Sequence, residues 1–329
     1  MRVLSATDVR AALPMPRAVA AMRQAFAALA AGRADVPERV HLNLPVHDGV
    51  SLMMSSFVHL AEGDALATKT ISLFANNAER GLARIQAVVI ALEPDTGRPL
   101  AVLEGAALTA LRTGAASGVG TDLLARGDCR TVAVFGAGVQ ARTQLEAVCA
   151  VRDVRAVRVV DPLPDRVEAF VRDVAGQPGF PADVRPAADA REALADADIV
   201  NLATTANTPP FADADLRPGT HVNAIGSYQP HVQEVPPETV ARALVVVDSR
   251  KTALAETGDL IQPIEQGLIT PDHIHAELGE LVLGRKRGRE NAEQITLFKS
   301  VGVAVQDAAA AHAALARAEE LGLGTEAPW

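Results

Sequence analysis

The sequence predicts an α/β protein in two parts: a doubly wound parallel sheet in the second half of the chain and an α+β domain in the first. Two observations carry this. From about residue 130, short apolar runs (TVAVFG, AVRVVD, DIVNLAT, HVNAIG, ALVVVDS) alternate with helical stretches such as VQARTQLEAVCAVR and PDRVEAFVRDVA. Buried strands interleaved with helices imply a parallel sheet covered on both faces. Between residues 50 and 104, the runs VSLMMSSFV, ATKTISLF, IQAVVIALE and PLAVLE are instead separated by the turns AEGD and EPDTGRP. Such turns are hairpin signals, so this half reads as a mostly antiparallel sheet flanked by helices.

The remaining elements follow in order. Residues 16–31, PRAVAAMRQAFAALAA, read as a helix that starts near Pro16 and stops at Gly32. The last helix, roughly 303–320 (VAVQDAAAAHAALARAEE), comes after the second domain, and its place would let it return to the first. The expected division is therefore 1–125 plus about 303–329 for one domain and 126–302 for the other. At 329 residues the chain is long enough for two cores, because single cores stop growing near ~250–300 residues.

Composition excludes several classes of function. The formal net charge is -9 and aromatics are 3%, so neither phosphate contacts nor base stacking is provided for, and no nucleic-acid partner is expected. Cys129 and Cys149 are the only cysteines. They read as reduced thiols rather than a disulfide framework or metal site, and no metal is expected. The segment MRVLSATDVRAALPM lacks the apolar core of a signal peptide, and no run reaches the ~18 apolar residues of a membrane span. A cytoplasmic protein without a membrane partner is expected.

The clearest local motif is 132-VAVFGAGVQARTQLEAV-148. An apolar run ends at Phe135, and Gly136-x-Gly138-x-x-Ala141 then opens a helix whose first residues are Val139 and Gln140. The first Gly permits a tight turn, the second lets backbone approach a pyrophosphate, and Ala141 allows close helix–strand packing. A strand before and a helix after are the context such a fingerprint requires. The next strand ends in Asp161, where a carboxylate hydrogen-bonds an adenosine ribose and repels a 2′-phosphate. The domain is thus expected to be a Rossmann domain binding NAD(H), with NADP(H) as the alternative because Arg166 lies close by.

Six stretches together resemble the ornithine cyclodeaminase/mu-crystallin family: EGAALTALRTGAAS, GAGVQA, HVNAIGS, AETGDL, AELGEL and LFKSVG. The resemblance runs from about residue 35 to 310. It implies a Rossmann domain beside a substrate-binding and dimerisation domain that the C-terminal helix joins, in a homodimer. It also implies that Arg39, Lys69 and Arg112 hold a substrate carboxylate. Guanidinium groups grip a carboxylate bidentately and an ammonium adds a compact charge. Lys69 stands out unaided, being a charge inside an otherwise apolar strand. Arg112 and Thr113 of the ALRTG motif, together with Thr204, are implied to meet the cofactor, and Val301 of KSVG to lie near the substrate. Asn223, Gly226 and Ser227 follow or end a strand, where ligands sit in doubly wound sheets, and are expected on the nicotinamide side.

The reaction is read from what is missing. The resemblance implies that cyclodeaminases carry an aspartate where Tyr228, the only tyrosine, stands here, and a glutamate on an early strand, aligned with Ser51. Losing a general base costs roughly 10²–10⁴-fold in rate. Hydride delivery to a carbon–nitrogen double bond is less affected, and SYQP resembles the family's ketimine reductase branch. The expected activity is NAD(P)H-dependent reduction of a small cyclic imino acid: Δ1-pyrroline-2-carboxylate to L-proline, or the six-membered Δ1-piperideine-2-carboxylate to pipecolate. Lys69 would be catalytic, and Tyr228 would shape the pocket or relay a proton. The alternatives are an ornithine or lysine cyclodeaminase, an alanine dehydrogenase, and a crystallin-like ligand-binding protein. Arg84, in a GLAR turn, would meet either a cofactor phosphate or solvent.

Overall fold

The computed structural model describes residues 1–328, except the side chain of Ala78. The chain divides into two compact units: Met1–Arg112 with Val303–Trp329, and Thr113–Gly302.

The first unit contains β1 (Arg2–Leu4), α1 (Ala6–Ala12), α2 (Met15–Ala30), β2 (Ala34–Asp35), β3 (Val40–Leu44), β4 (Gly49–Leu60), β5 (Gly63–Phe74), β6 (Ile85–Leu92) and β7 (Pro99–Glu104). One sheet runs from a terminal strand, Thr325–Glu326, through β1, β7, β6, β5 and β4 to β2, with β3 also paired to β4. The hairpins expected at AEGD and EPDTGRP are the β4–β5 and β6–β7 connections. Among the described residues of this sheet, only β1 and β7 pair in parallel. The C-terminal helix, Ala304–Leu321, packs on α1, α2, β4 and β5. Its alanine-rich face lets it lie close to the sheet, and Ala308, Ala311 and Ala314 of this helix are buried, as are Met22 and Phe26 of α2, on which it packs.

Strand alternation sorts residues between the two faces. Met54, Lys69, Val89 and Leu103 form one cross-strand row, and all four are buried under helices. Met53 is paired with Thr70 and Val40 on the opposite face, where Val40, Leu42, Met53 and Ile90 are exposed.

The second unit is a parallel sheet: β8 (Thr131–Phe135), β9 (Ala156–Val160), β10 (Asp183–Pro186), β11 (Ile199–Leu202), β12 (His221–Ala224), β13 (Leu244–Val247), β14 (Ile274–Glu277) and β15 (Thr296–Lys299). Their spatial order is β10-β9-β8-β11-β12-β15-β13-β14. The chain moves outward from β8 through β9 to β10, then returns to β11 on the other side. The switch point of this doubly wound sheet therefore lies between the carboxyl ends of β8 and β11.

The first boundary falls earlier than the expected 125/126. The helix α3, Gly105–Leu124, runs unbroken through it, and its second half belongs to the second unit. Thr121 takes a hydrogen bond from Asn223 on its hydroxyl and one from Arg152 on its carbonyl. A continuous helix offers no Gly, Pro or polar punctuation to betray such a division.

Candidate active site

In the second unit the Gly136–Ala141 turn is built for a backbone-bound anion. Gly136 has φ +91°, and a Cβ there would collide with the Ala203 carbonyl. Gly138 N-caps α4 (Val139–Val151) without a side-chain hydrogen bond, and nothing lies within 4 Å of where its Cβ would be. The first-turn amides of α4 thus lack a side-chain cap and the space beside Gly138 is open, the arrangement that receives a pyrophosphate. Ala141 is buried against the strand. Asp161 accepts from Ala137 N at 2.9 Å on one oxygen and from Leu163 N at 3.0 Å on the other. Each oxygen keeps a lone pair for a ribose hydroxyl. These residues fit a dinucleotide. Val139 is exposed, Gln140 is partly buried, and Arg166 is exposed.

The loops beyond β11 and β12 are held by a residue that the sequence reading missed. Glu234 is fully buried. Its Oε1 accepts from Thr204 N and Thr204 Oγ, both at 2.7 Å, and its Oε2 from Gly226 N at 2.5 Å and Ser227 N at 3.2 Å. Burial pushes the Glu234 carboxyl up, the Lys299 charge pulls it down, and Asp259 pushes it up again. Asp259 in turn accepts from the backbone of Glu234 and Val235 and lies 2.8 Å from Lys299 Nζ, both side chains being wholly buried. Ser227 Oγ is engaged with the Val232 carbonyl and Thr257. Asp248 plays the same part for the KSVG loop: its Oδ2 accepts from Ser300 Oγ, Val301 N and Gly302 N.

The Asn223 side chain is wholly buried inside β12, one residue before the strand ends, donating to Thr121 and Asn201 with His221 Nε2 at its oxygen. Tyr228, by contrast, is 42% exposed. Thr113 opens the second unit and is buried.

In the first unit, Lys69 and Arg112 meet over one carboxylate. Lys69 Nζ donates to Asp307 Oδ1 at 2.9 Å and lies 2.8 Å from Oδ2. Arg112 Nε lies 3.1 Å from the same Oδ1, a charge contact without the angle of a hydrogen bond. Arg112 also donates to Gln306 Oε1 at 3.0 Å. The Nε2 of Gln306 is buried with no partner among the described residues. Burial and Arg112 lower the Lys69 pKa to about 8, against the pull of Asp307, and Arg39 adds its field in the same direction as Arg112. Lys69 and Arg112 therefore share the carboxylate of Asp307, with the field of Arg39 reaching Lys69. Neither Asp307 nor Gln306 was anticipated from sequence. Their one signal was a pair of polar residues on the apolar side of an alanine-rich helix.

Ser51 pairs with Ser72, to which it is hydrogen-bonded, on the sheet face opposite to Lys69. Because side chains alternate with a period of two, the β4 residue directly across from Lys69 is the uncharged Met54. Arg84 is exposed.

A dinucleotide turn at a switch point, with a cationic cluster on a separate α+β unit, defines a two-domain oxidoreductase acting on small carboxylates. The comparisons narrow this. Residues 1–321 match the ornithine cyclodeaminase/mu-crystallin family, and the chain belongs to it. It is 40% identical over 326 residues to a Δ1-pyrroline-2-carboxylate reductase of Bacillus cereus, covering 98% of each chain. The Δ1-pyrroline-2-carboxylate reductase of Thermococcus litoralis, solved with NADH and L-proline, superposes with a TM-score of 0.94 at 42% identity, over 99% of this chain and 100% of that one. An archaeal alanine dehydrogenase dimer with bound NAD gives 0.91 at 32%, over 100% and 99%. Among the described residues no helix is long and apolar enough to cross a membrane, and no cluster of His, Cys, Asp or Glu could hold a metal.

Proposed function

We propose that the protein reduces Δ1-pyrroline-2-carboxylate to L-proline with NADH. The observation that carries this is the surplus of buried cations around Asp307, with the uncharged Met54 opposite Lys69 and no acid at Tyr228. Two buried cations, Lys69 and Arg112, that share the one carboxylate of Asp307 are completed by one small anion. A substrate with a second, protonated amine would meet neither an acid at Met54, across from Lys69, nor one at Tyr228.

Gly136, Gly138, Val139, Gln140 and Asp161 would hold the dinucleotide, Asp161 favouring NAD(H) over NADP(H). Its reduced nicotinamide, when bound, supplies a hydride for the imine carbon. Arg112 and Arg39 bind the substrate carboxylate, and their charge keeps that carbon electrophilic. Lys69 Nζ, with its pKa near 8, is charged at neutral pH yet able to release a proton toward the imine nitrogen. The buried wall of Met54 and Val89 beside Lys69 excludes water. Tyr228 would act as a hydrogen-bond donor. The carboxylate clamp and the hydride serve a five- or six-membered ring, or the imine of pyruvate, equally in kind, and ring size is set by the fit of the pocket.

The deciding experiment follows NADH oxidation with Δ1-pyrroline-2-carboxylate, with Δ1-piperideine-2-carboxylate, and with pyruvate plus ammonia, and looks for proline formed from ornithine with catalytic NAD. Fastest turnover of the five-membered imine without ornithine deamination supports the proposal. Proline from ornithine, or preference for pyruvate and ammonia, overturns it. The assembly proposed is a homodimer, for which the exposed Val40, Leu42, Met53 and Ile90 on one sheet face supply the apolar surface. Leu42→Lys should shift the sedimentation coefficient toward the monomer.

A further inference from the structure

The carboxylate of Glu234 stands where two loops must be kept in register. The loop after β11 contributes two donors, Thr204 N and Oγ, and the loop after β12 contributes two more, Gly226 N and Ser227 N. The sheet order places β11 and β12 on the far side of the switch point from β9 and its Asp161. In a doubly wound sheet that is the side of the second nucleotide half, with ligands at the strands' carboxyl ends. The two loops are also shaped around the carboxylate. A Cβ on Gly226 would run into Glu234 Oε1 and the Thr204 carbonyl. Glu234 cannot drift, because its own N–H is fixed by Asp259 Oδ1 at 2.7 Å and Asp259 is paired with Lys299.

We infer that Glu234 is the positioning residue of the nicotinamide half-site: a single buried carboxylate that clasps the loops after β11 and β12 and sets the surface on which the nicotinamide rests. This rests on the dinucleotide reading of the proposed function and extends it to a residue outside every recognised motif of the turn. The specificity lies in acceptor geometry. A carboxylate offers two acceptor oxygens, and all four donors point at them. An amide of the same shape offers only one. Its NH₂ would face either the two Thr204 donors or the Gly226 and Ser227 pair, so one loop must move away.

The test compares NADH with ADP-ribose, which carries the adenosine and pyrophosphate but no nicotinamide, by calorimetric titration of the full-length wild type, Glu234→Gln and Glu234→Asp. Thermal unfolding of each is recorded alongside. Glu234→Gln should lose at least ten times more affinity for NADH than for ADP-ribose. Glu234→Asp, which keeps both acceptors on a shorter arm, should recover part of that loss. If Glu234→Gln fails to fold, Gly226→Ala, which displaces one loop without touching the charge, should show the same selective loss. Equal loss for both ligands, or none for either, overturns the assignment. A wild type that binds neither ligand would overturn the dinucleotide reading itself, and the inference with it.

Discussion

Each unit buries one lysine against one aspartate, and the two pairs have nearly the same geometry. Lys69 lies 2.8 Å from Asp307 and Lys299 2.8 Å from Asp259, none of the four side chains more than 2% exposed. Their surroundings differ in sign. Around Lys69 the next charges are Arg112 and Arg39, whereas beside Lys299 and Asp259 the next charge is Glu234. The first cluster has cations in excess, which a small anion would balance. The second has carboxylates in excess, and their spare lone pairs are already taken by backbone N–H groups. Buried ion pairs alone say little about function. The sign of the residual charge, and whether the protein itself satisfies it, separates a binding site from a scaffold.

The largest contrast should come from removing each lysine. Lys69→Met should cost on the order of 10²–10⁴-fold in turnover while leaving the fold intact, since Asp307 keeps Arg112. Lys299→Met strands two buried carboxylates and should cost roughly 3–5 kcal/mol of stability, read by denaturant unfolding. Equal loss of stability in both variants would erase the distinction.

Acidification should reveal a third kind of buried group. His221, held at a pKa of about 3 by burial and by the charge of Arg289, is neutral in the folded state. The unfolded imidazole, near 6.5, binds the proton more readily. The stability His221 contributes is therefore fully present above pH 6.5 and is lost as pH falls toward 3, at up to about 1.4 kcal/mol per unit. His221→Gln should flatten that slope in unfolding experiments across this range.

A subtler test concerns charge coupling in the first cluster. Lys69 is charged below about pH 8 and neutral above it, so kcat/KM should fall as pH rises through 8. Because Arg112 depresses the Lys69 pKa, Arg112→Gln should move that limb upward even as it slows the reaction. An unmoved limb would detach Lys69 from the pH profile. The smallest effect is expected at Tyr228. Its phenol is 42% exposed, and Tyr228→Phe should change turnover by less than about threefold, the scale of one exposed hydrogen bond.

The sequence reading and the structure part company along one line: how far apart in the chain the interacting groups lie. The doubly wound sheet was legible because apolar residues predominate in the runs TVAVFG, AVRVVD, DIVNLAT, HVNAIG and ALVVVDS, which hold β8, β9, β11, β12 and β13. The short strands β10 and β14, DVRP and IHAE, were not, since at least half of each is charged, His or Pro. Lys69 was conspicuous as a lone charge in a strand, and Gly136 as part of a local turn. Asp307, 238 residues from Lys69, and Glu234, whose partners are mostly main-chain amides, leave no local pattern. Register too is a pairing property: nothing within β4 alone tells Ser51 from Met54, and only the pairing with β5 puts one on each face.

The return of the C-terminal helix to the first unit has a consequence for biosynthesis. The second unit is one continuous segment and has all its strands once residue 302 has left the ribosome, whereas the first unit is still missing the helix that covers Lys69. Until Asp307 arrives, the nascent chain carries a lysine and an arginine destined for burial with no counter-charge. Domains fold as units during synthesis, so the first unit is obliged to wait, partly open, for the last few turns of helix. A chain broken off before residue 307 would keep a nearly complete nucleotide-binding half and lack the other half's keystone, leaving it marked for proteolysis by its unfinished core.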